Sequence, residues 1–162
     1  MALRLLSFSR ARQRGVPGGR AAPIRVLVVD DEEQMRLLVQ HVLYDAGYET
    51  ALAADGDEAI ALAAREKPFD LLVTDEMMPR MAGHQLARYM RERYLDIKVL
   101  YLTGYRDDVF AAKGSLWADE AFLDKPCSPE ALRQAVALLL FGRLFSGGPQ
   151  RAEVLAGHPR DI

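Results

Sequence analysis

Five short apolar runs, separated by stretches of helical periodicity, constrain this chain more than any other feature. They are IRVLVV (24–29), YETALA (48–53), FDLLVT (69–74), IKVLYLT (97–103) and EAFLD (120–124). Each has the length and the branched or aromatic content of a buried strand. After the first run, Met35, Leu38, Val39 and Val42 recur at helical spacing, and Gly47 stops that helix. DGDEAIALAAREK (55–67) reads as a second helix, with acids at its start and cations at its end to suit the peptide dipoles, and Pro68 closes it. A third helix spans 84–93, with Leu86, Tyr89 and Met90 on one face. A fourth, in YRDDVFAAKGSLWADE, is short because Gly114 and Ser115 interrupt it. The last opens with Ser128 as cap and Pro129 at its first position, and Leu132, Ala135, Val136 and Leu139 form its core face. Strand and helix alternating five times give an α/β fold, a doubly wound parallel sheet with helices on both faces and right-handed crossovers.

In such a sheet, functional groups collect beyond the carboxyl ends of the strands. Strand one ends at Asp30 and Asp31, strand three at Asp75, strand four at Thr103, and strand five at Lys125. With strand order 2-1-3-4-5, strands one and three are neighbours at the topological switch point. Three carboxylates at one place repel each other and become favourable around a cation. An all-oxygen set of this kind suits Mg²⁺, with Mn²⁺ as a substitute. A lysine beside it is a point charge suited to a phosphate oxygen, and a carboxylate can itself accept a phosphoryl group. The constellation therefore fits phosphoryl transfer to an aspartate.

The segments VLVVDDE, LLVTDEMMPRMAG, VLYLTGY and AFLDKP, in this order, resemble the receiver domain of two-component response regulators. The likeness covers about residues 24–143. Within it, LTGY with the loose segment that follows resembles receivers fused to hybrid histidine kinases and their free-standing relatives. The likeness implies a flavodoxin-like (βα)5 fold. It also implies Asp75 as phosphoacceptor and a Mg²⁺ site of Asp30, Asp31, Asp75 and the Met77 backbone carbonyl. Thr103 and Lys125 would contact the phosphoryl group, Phe122 would take the place of the aromatic switch, and the Lys125–Pro126 bond would be cis. The partners implied are a histidine kinase or histidine phosphotransfer protein and a downstream protein. The domain would be a signalling module rather than an enzyme, at most phosphorylating itself from small donors and dephosphorylating itself.

Departures from the family pattern matter as well. Phe122 lacks the hydroxyl of the tyrosine more usual there, and reads equally as plain core. Cys127 stands where a bulkier apolar residue is more frequent, and reads as an inert, partly buried thiol. Asp30 and Asp31 have a second reading as caps of the first helix. His41 and His84 read as surface residues, and Trp117 as loop packing. Bulky Met77 and Tyr105 would flank the phosphoryl group and slow its hydrolysis.

Charge divides the chain. Residues 1–25 carry six arginines and no acid, whereas residues 26–145 carry 13 Lys+Arg against 21 Asp+Glu. An acidic domain argues against general nucleic-acid binding by the fold itself. Residues 1–22 read as a disordered Arg-rich extension, with a transit peptide or an overlong start as other readings. Residues 23–144 form the domain, and 145–162 a flexible tail too short for a DNA-binding output module. A single cysteine and the lack of a spanning apolar stretch fit a cytoplasmic protein. Two competing functions remain: a phosphorylation-independent interaction module on the same fold, and an aspartyl-phosphate phosphatase. The phosphatase would need Asp-x-Asp after strand one, where this chain has DDEEQ.

Overall fold

The computed structural model describes residues 22–104 and 119–142. The Arg-rich extension, the fourth helix with Trp117, Tyr105 and the C-terminal tail lie outside the described residues. The elements run β1 (Arg25–Val29), α1 (Glu33–Asp45), β2 (Glu49–Ala53), α2 (Gly56–Arg65), β3 (Leu71–Asp75), α3 (Gly83–Arg93), β4 (Lys98–Thr103), β5 (Glu120–Asp124) and α4 (Pro129–Phe141). The five strands form one parallel sheet in the order β2-β1-β3-β4-β5, the doubly wound arrangement that the alternation of runs implies.

Side chains alternate across the sheet, and each face carries its own core. On one face Leu27, Val29, Leu72, Val99 and Tyr101 pack with Leu62, Leu86 and Met90 of α2 and α3. On the other, Val26, Val28, Leu71, Val73, Leu100 and Leu102 pack with Val39, Val42 and Leu43 of α1 and Leu132 and Val136 of α4. β3 is buried along its whole length because it lies second from neither edge but central between β1 and β4.

The helix ends follow local chemistry. Gly47 takes a φ of 89° just past α1, and its amide donates to the Tyr44 carbonyl. Asp55 caps α2, accepting from the Glu58 amide at 2.8 Å. Ser128 caps α4 by accepting from the Ala131 amide at 3.1 Å, with Pro129 at the first position. α2 stops at Arg65 rather than at Lys67, because Glu66 already turns extended. Two positions read as core-facing are exposed: Leu38 on α1 and Tyr89 on α3. In each case the neighbours Val39 and Met90 fill the space below the helix, and the adjacent position is rotated outward.

Candidate functional site

Parallel strands bring their carboxyl ends to one edge, and three of the carboxylates named above meet there. Asp30, Asp31 and Asp75 each offer one oxygen, and these oxygens lie within 4.8 Å of one another. Asp30 is 2 % exposed and Asp75 9 %, while Asp31 faces solvent. Lys125 Nζ donates to Asp30 Oδ2 at 2.8 Å and lies 3.2 Å from Asp75 Oδ2. β5 and β1 are three strands apart in the sheet order, so the lysine spans the edge to reach them.

Asp30 and Asp75 are each held from a second side. Asp30 Oδ1 accepts from the Glu32 amide at 2.9 Å, and Arg36 Nη1 donates to the Asp30 carbonyl at 2.7 Å. Neither Asp30 nor Asp31 is the cap of α1; that position belongs to Glu32, whose side chain makes no capping bond. Asp75 Oδ1 accepts from the Met77 amide at 3.2 Å. Burial pushes the Asp75 carboxyl above its ordinary range; the Lys125 charge opposes the shift and Asp30 adds to it.

Thr103 closes β4 with no exposed surface, and its carbonyl accepts from the Lys125 amide at 3.0 Å. The Lys125–Pro126 peptide is cis. Phe122 lies opposite Tyr101 in the β4–β5 register, its ring centroid 5.3 Å from that of the tyrosine, and packs against the α2–α3 core. The Tyr101 hydroxyl donates to buried Glu120 at 3.2 Å. Burial first, and then Glu120, push the tyrosine above its usual range. Met77 is 53 % exposed beside Asp75. Cys127 packs against the α1–α4 core, and burial raises its thiol.

Two residues at this edge, Arg36 and Glu76, carry no signal in the sequence, and a third, His84, differs from its surface reading. Arg36 has no local signal that ties it to Asp30. Glu76 follows the acceptor position directly and is 3 % exposed. His84 was assigned to the surface; it is instead half-buried, its ring Nδ1 bonded to Glu76 Oε1 and its amide donating to Glu76 Oε2 at 2.9 Å. His41 is on the surface, 3.4 Å from Asp45.

The donor set fits Mg²⁺. It consists wholly of carboxylate oxygens, and Asp31 leaves a solvent side for the water ligands that Mg²⁺ retains. With all three acids ionised and Lys125 charged, the cluster keeps about two negative charges, which a divalent cation balances.

A parallel sheet of this order with an acidic cluster at its carboxyl edge defines a flavodoxin-like α/β domain, and the chain belongs to the response regulator receiver domain family of two-component signalling, whose model matches residues 26–137. It is 34% identical over 116 residues to the alkaline phosphatase synthesis transcriptional regulatory protein PhoP of Bacillus subtilis, covering 72% of this chain and 48% of that protein. The chain thus spans about half the length of the curated relatives it matches. Among solved structures it is similar to the chemotaxis response regulator CheY4 of Vibrio cholerae, with a TM-score of 0.65 and 34% identity, covering 74% of this chain and 100% of that one. It is also similar to the response regulator TrrA of Thermotoga maritima in complex with Mg²⁺ and BeF, with a TM-score of 0.61 and 33% identity, covering 72% and 99%. No described helix is long and apolar enough to cross a membrane.

Proposed function

We propose that this domain, in the cytoplasm, accepts a phosphoryl group on Asp75 from a histidine kinase or histidine phosphotransfer protein, and that the change alters a protein-binding face. The observation that carries this reading is the bridge from Lys125 Nζ to both Asp30 and Asp75 beside the three-carboxylate cluster. An Asp75 oxygen forms the new bond to phosphorus. The donor's P–N bond breaks, and its electron pair stays on the imidazole nitrogen. Lys125 supplies a fixed positive charge next to the incoming oxygens, and Thr103 stands at the neighbouring strand end. Asp30, Asp31, Asp75 and the Met77 carbonyl would hold Mg²⁺, or Mn²⁺ in its place. When bound, the cation would neutralise charge on the transferring group. The Mg²⁺–BeF complex of TrrA supports this part of the reading. Self-phosphorylation from small donors and self-dephosphorylation belong to the same proposal. So does Phe122, on the edge strand, as part of the face that responds.

Intact-protein mass after incubation with acetyl phosphate and Mg²⁺ tests the reading. One phosphoryl adduct is expected on the wild type, and none on Asp75→Ala or without the metal. A wild type that stays unlabelled while a control receiver is labelled favours an interaction module that works without phosphorylation.

A further inference from the structure

The segment that follows the acceptor is held by a residue that the phosphoryl-transfer chemistry does not use. Glu76 lies between Asp75 and Met77 and is almost fully buried. Its carboxylate reaches the start of α3, accepting from the His84 amide at 2.9 Å and from the His84 ring. Its carbonyl accepts from the Gly83 amide at 3.0 Å. The cap position of α3 is Ala82, which has no side-chain acceptor. Glu76 therefore does from a distance what a capping side chain does locally, and it places a negative charge where the helix amides converge.

The contact between the two elements leaves no slack. A Cβ built on Gly83 would stand 2.2 Å from the Asp75 carbonyl oxygen. The helix start rests on the acceptor's own backbone, and Glu76 is fastened to both sides of that contact. Arg80, in the same loop with a φ of 67°, ties the loop's far end to Asp55 at 2.7 Å. The direction of the Met77 carbonyl and of the Asp75 side chain thus depends on where Glu76 is anchored.

We propose that Glu76, together with His84, is a positioning pair that sets the Met77 carbonyl and the Asp75 carboxylate for cation binding, an inference that rests on the cation-site part of the reading above. Groups that orient the ligands of a metal commonly change affinity by about 10–100-fold when removed. Leucine at position 76 keeps the buried volume and loses both acceptors. Glutamine keeps an oxygen for the His84 amide and offers its NH₂ to the ring.

The test is calorimetric titration of the folded full chain with Mg²⁺, for wild type, Glu76→Leu, Glu76→Gln and His84→Phe. It is paired with amide hydrogen exchange at Met77 and His84 and with acetyl phosphate labelling. The expected result is Mg²⁺ affinity weakened about 10–100-fold in Glu76→Leu, less in His84→Phe, and held near wild type in Glu76→Gln, with faster exchange at both amides in Glu76→Leu. If Glu76→Leu does not fold, His84→Phe carries the comparison. A folded Glu76→Leu that binds Mg²⁺ like the wild type, or a Glu76→Gln that loses as much as Glu76→Leu, overturns the inference. A wild type that binds Mg²⁺ and is never labelled overturns the acceptor reading and leaves this one standing. A wild type without Mg²⁺ binding overturns both.

Discussion

The Lys125 ammonium lies 3.2 Å from the Asp75 carboxylate while bonded to Asp30 at 2.8 Å. One cation thereby restrains two buried acids that would otherwise repel each other. Lys125→Met removes that charge and keeps most of the stem. Phosphoryl labelling of Asp75 is expected to fall by roughly 10²-fold, the scale of losing one preorganised stabiliser of developing charge. Mg²⁺ affinity is expected to stay equal or tighten, because a competing cation has gone. Labelling and Mg²⁺ titration on the same sample separate the two effects, and a parallel loss of both would mean that the lysine acts through the fold.

Gly83 faces an unyielding neighbour. Alanine is the better helix former by about 1 kcal/mol, yet its Cβ would fall 2.2 Å from the Asp75 carbonyl oxygen, with further backbone atoms at 3.0 and 3.1 Å. Backbone cannot swing away as a side-chain tip can. Gly83→Ala is expected to lose about 1–3 kcal/mol of stability in urea unfolding, the usual cost of overpacking. A neutral or stabilised variant would show that the strand end and the helix start move apart freely.

How much of this could be read from the chain depended on the reach of each interaction. Strand ends are read one at a time, and parallel pairing then stacks them at one edge, so Asp30, Asp31, Asp75, Thr103 and Lys125 were brought together without tertiary information. Glu76 and His84 could not be paired in this way. They stand eight positions apart with a proline turn between them, and nothing local distinguishes a buried glutamate from a solvated one. Arg25 falls inside the first strand run, but its bonds to Glu49 and Glu66 reach separate elements and have no local signal. Leu38 and Tyr89 satisfied the helical period and still face outward, because periodicity fixes the spacing of a face and not its edge.

The cap of α2 gives a pH test away from the acceptor. Asp55 is held below its ordinary value by the hydrogen bond from the Glu58 amide; desolvation opposes this, and Arg80 reinforces it. A carboxyl lowered in the folded state stabilises fully above its unfolded pKa of about 3.9, and that stabilisation is lost as pH falls through the folded value. Asp55→Ala is expected to cost about 1 kcal/mol at neutral pH. The gap from wild type should stay constant down to roughly pH 5 and narrow below about pH 4. Urea unfolding across that range checks it. A gap that grew on acidification would reverse the sign and refute the assignment.

Met77 bears on the lifetime of the phosphorylated form. Its apolar side chain is half in solvent beside Asp75, where it would limit the approach of water to a phosphorylated Asp75. Met77→Asn replaces it with a group that can orient water. A barrier change of about 1 kcal/mol would shorten the adduct's lifetime roughly fivefold. Mass spectrometry after removal of the small donor reads that lifetime. An unchanged decay would rule out shielding by this residue.

Arg25 tests whether stability and acceptor chemistry are separable at opposite edges of the sheet. Its guanidinium bonds to Glu49 Oε1 at 2.9 Å, Glu66 Oε2 at 2.6 Å and the Lys67 carbonyl, and lies 4.6 Å over the Phe69 ring. It thus ties the start of β1 to β2, to the end of α2 and to the approach to β3. Both glutamates are partly exposed, so the loss on Arg25→Met is set below that of a buried pair, at about 1–2 kcal/mol in urea unfolding. Mg²⁺ affinity and the labelling rate of Asp75 are expected to match the wild type wherever the variant is folded, because the cluster lies at the other ends of the strands. Slower labelling in folded Arg25→Met would mean that strain at the amino edge reaches the acceptor through the rigid, fully buried β3.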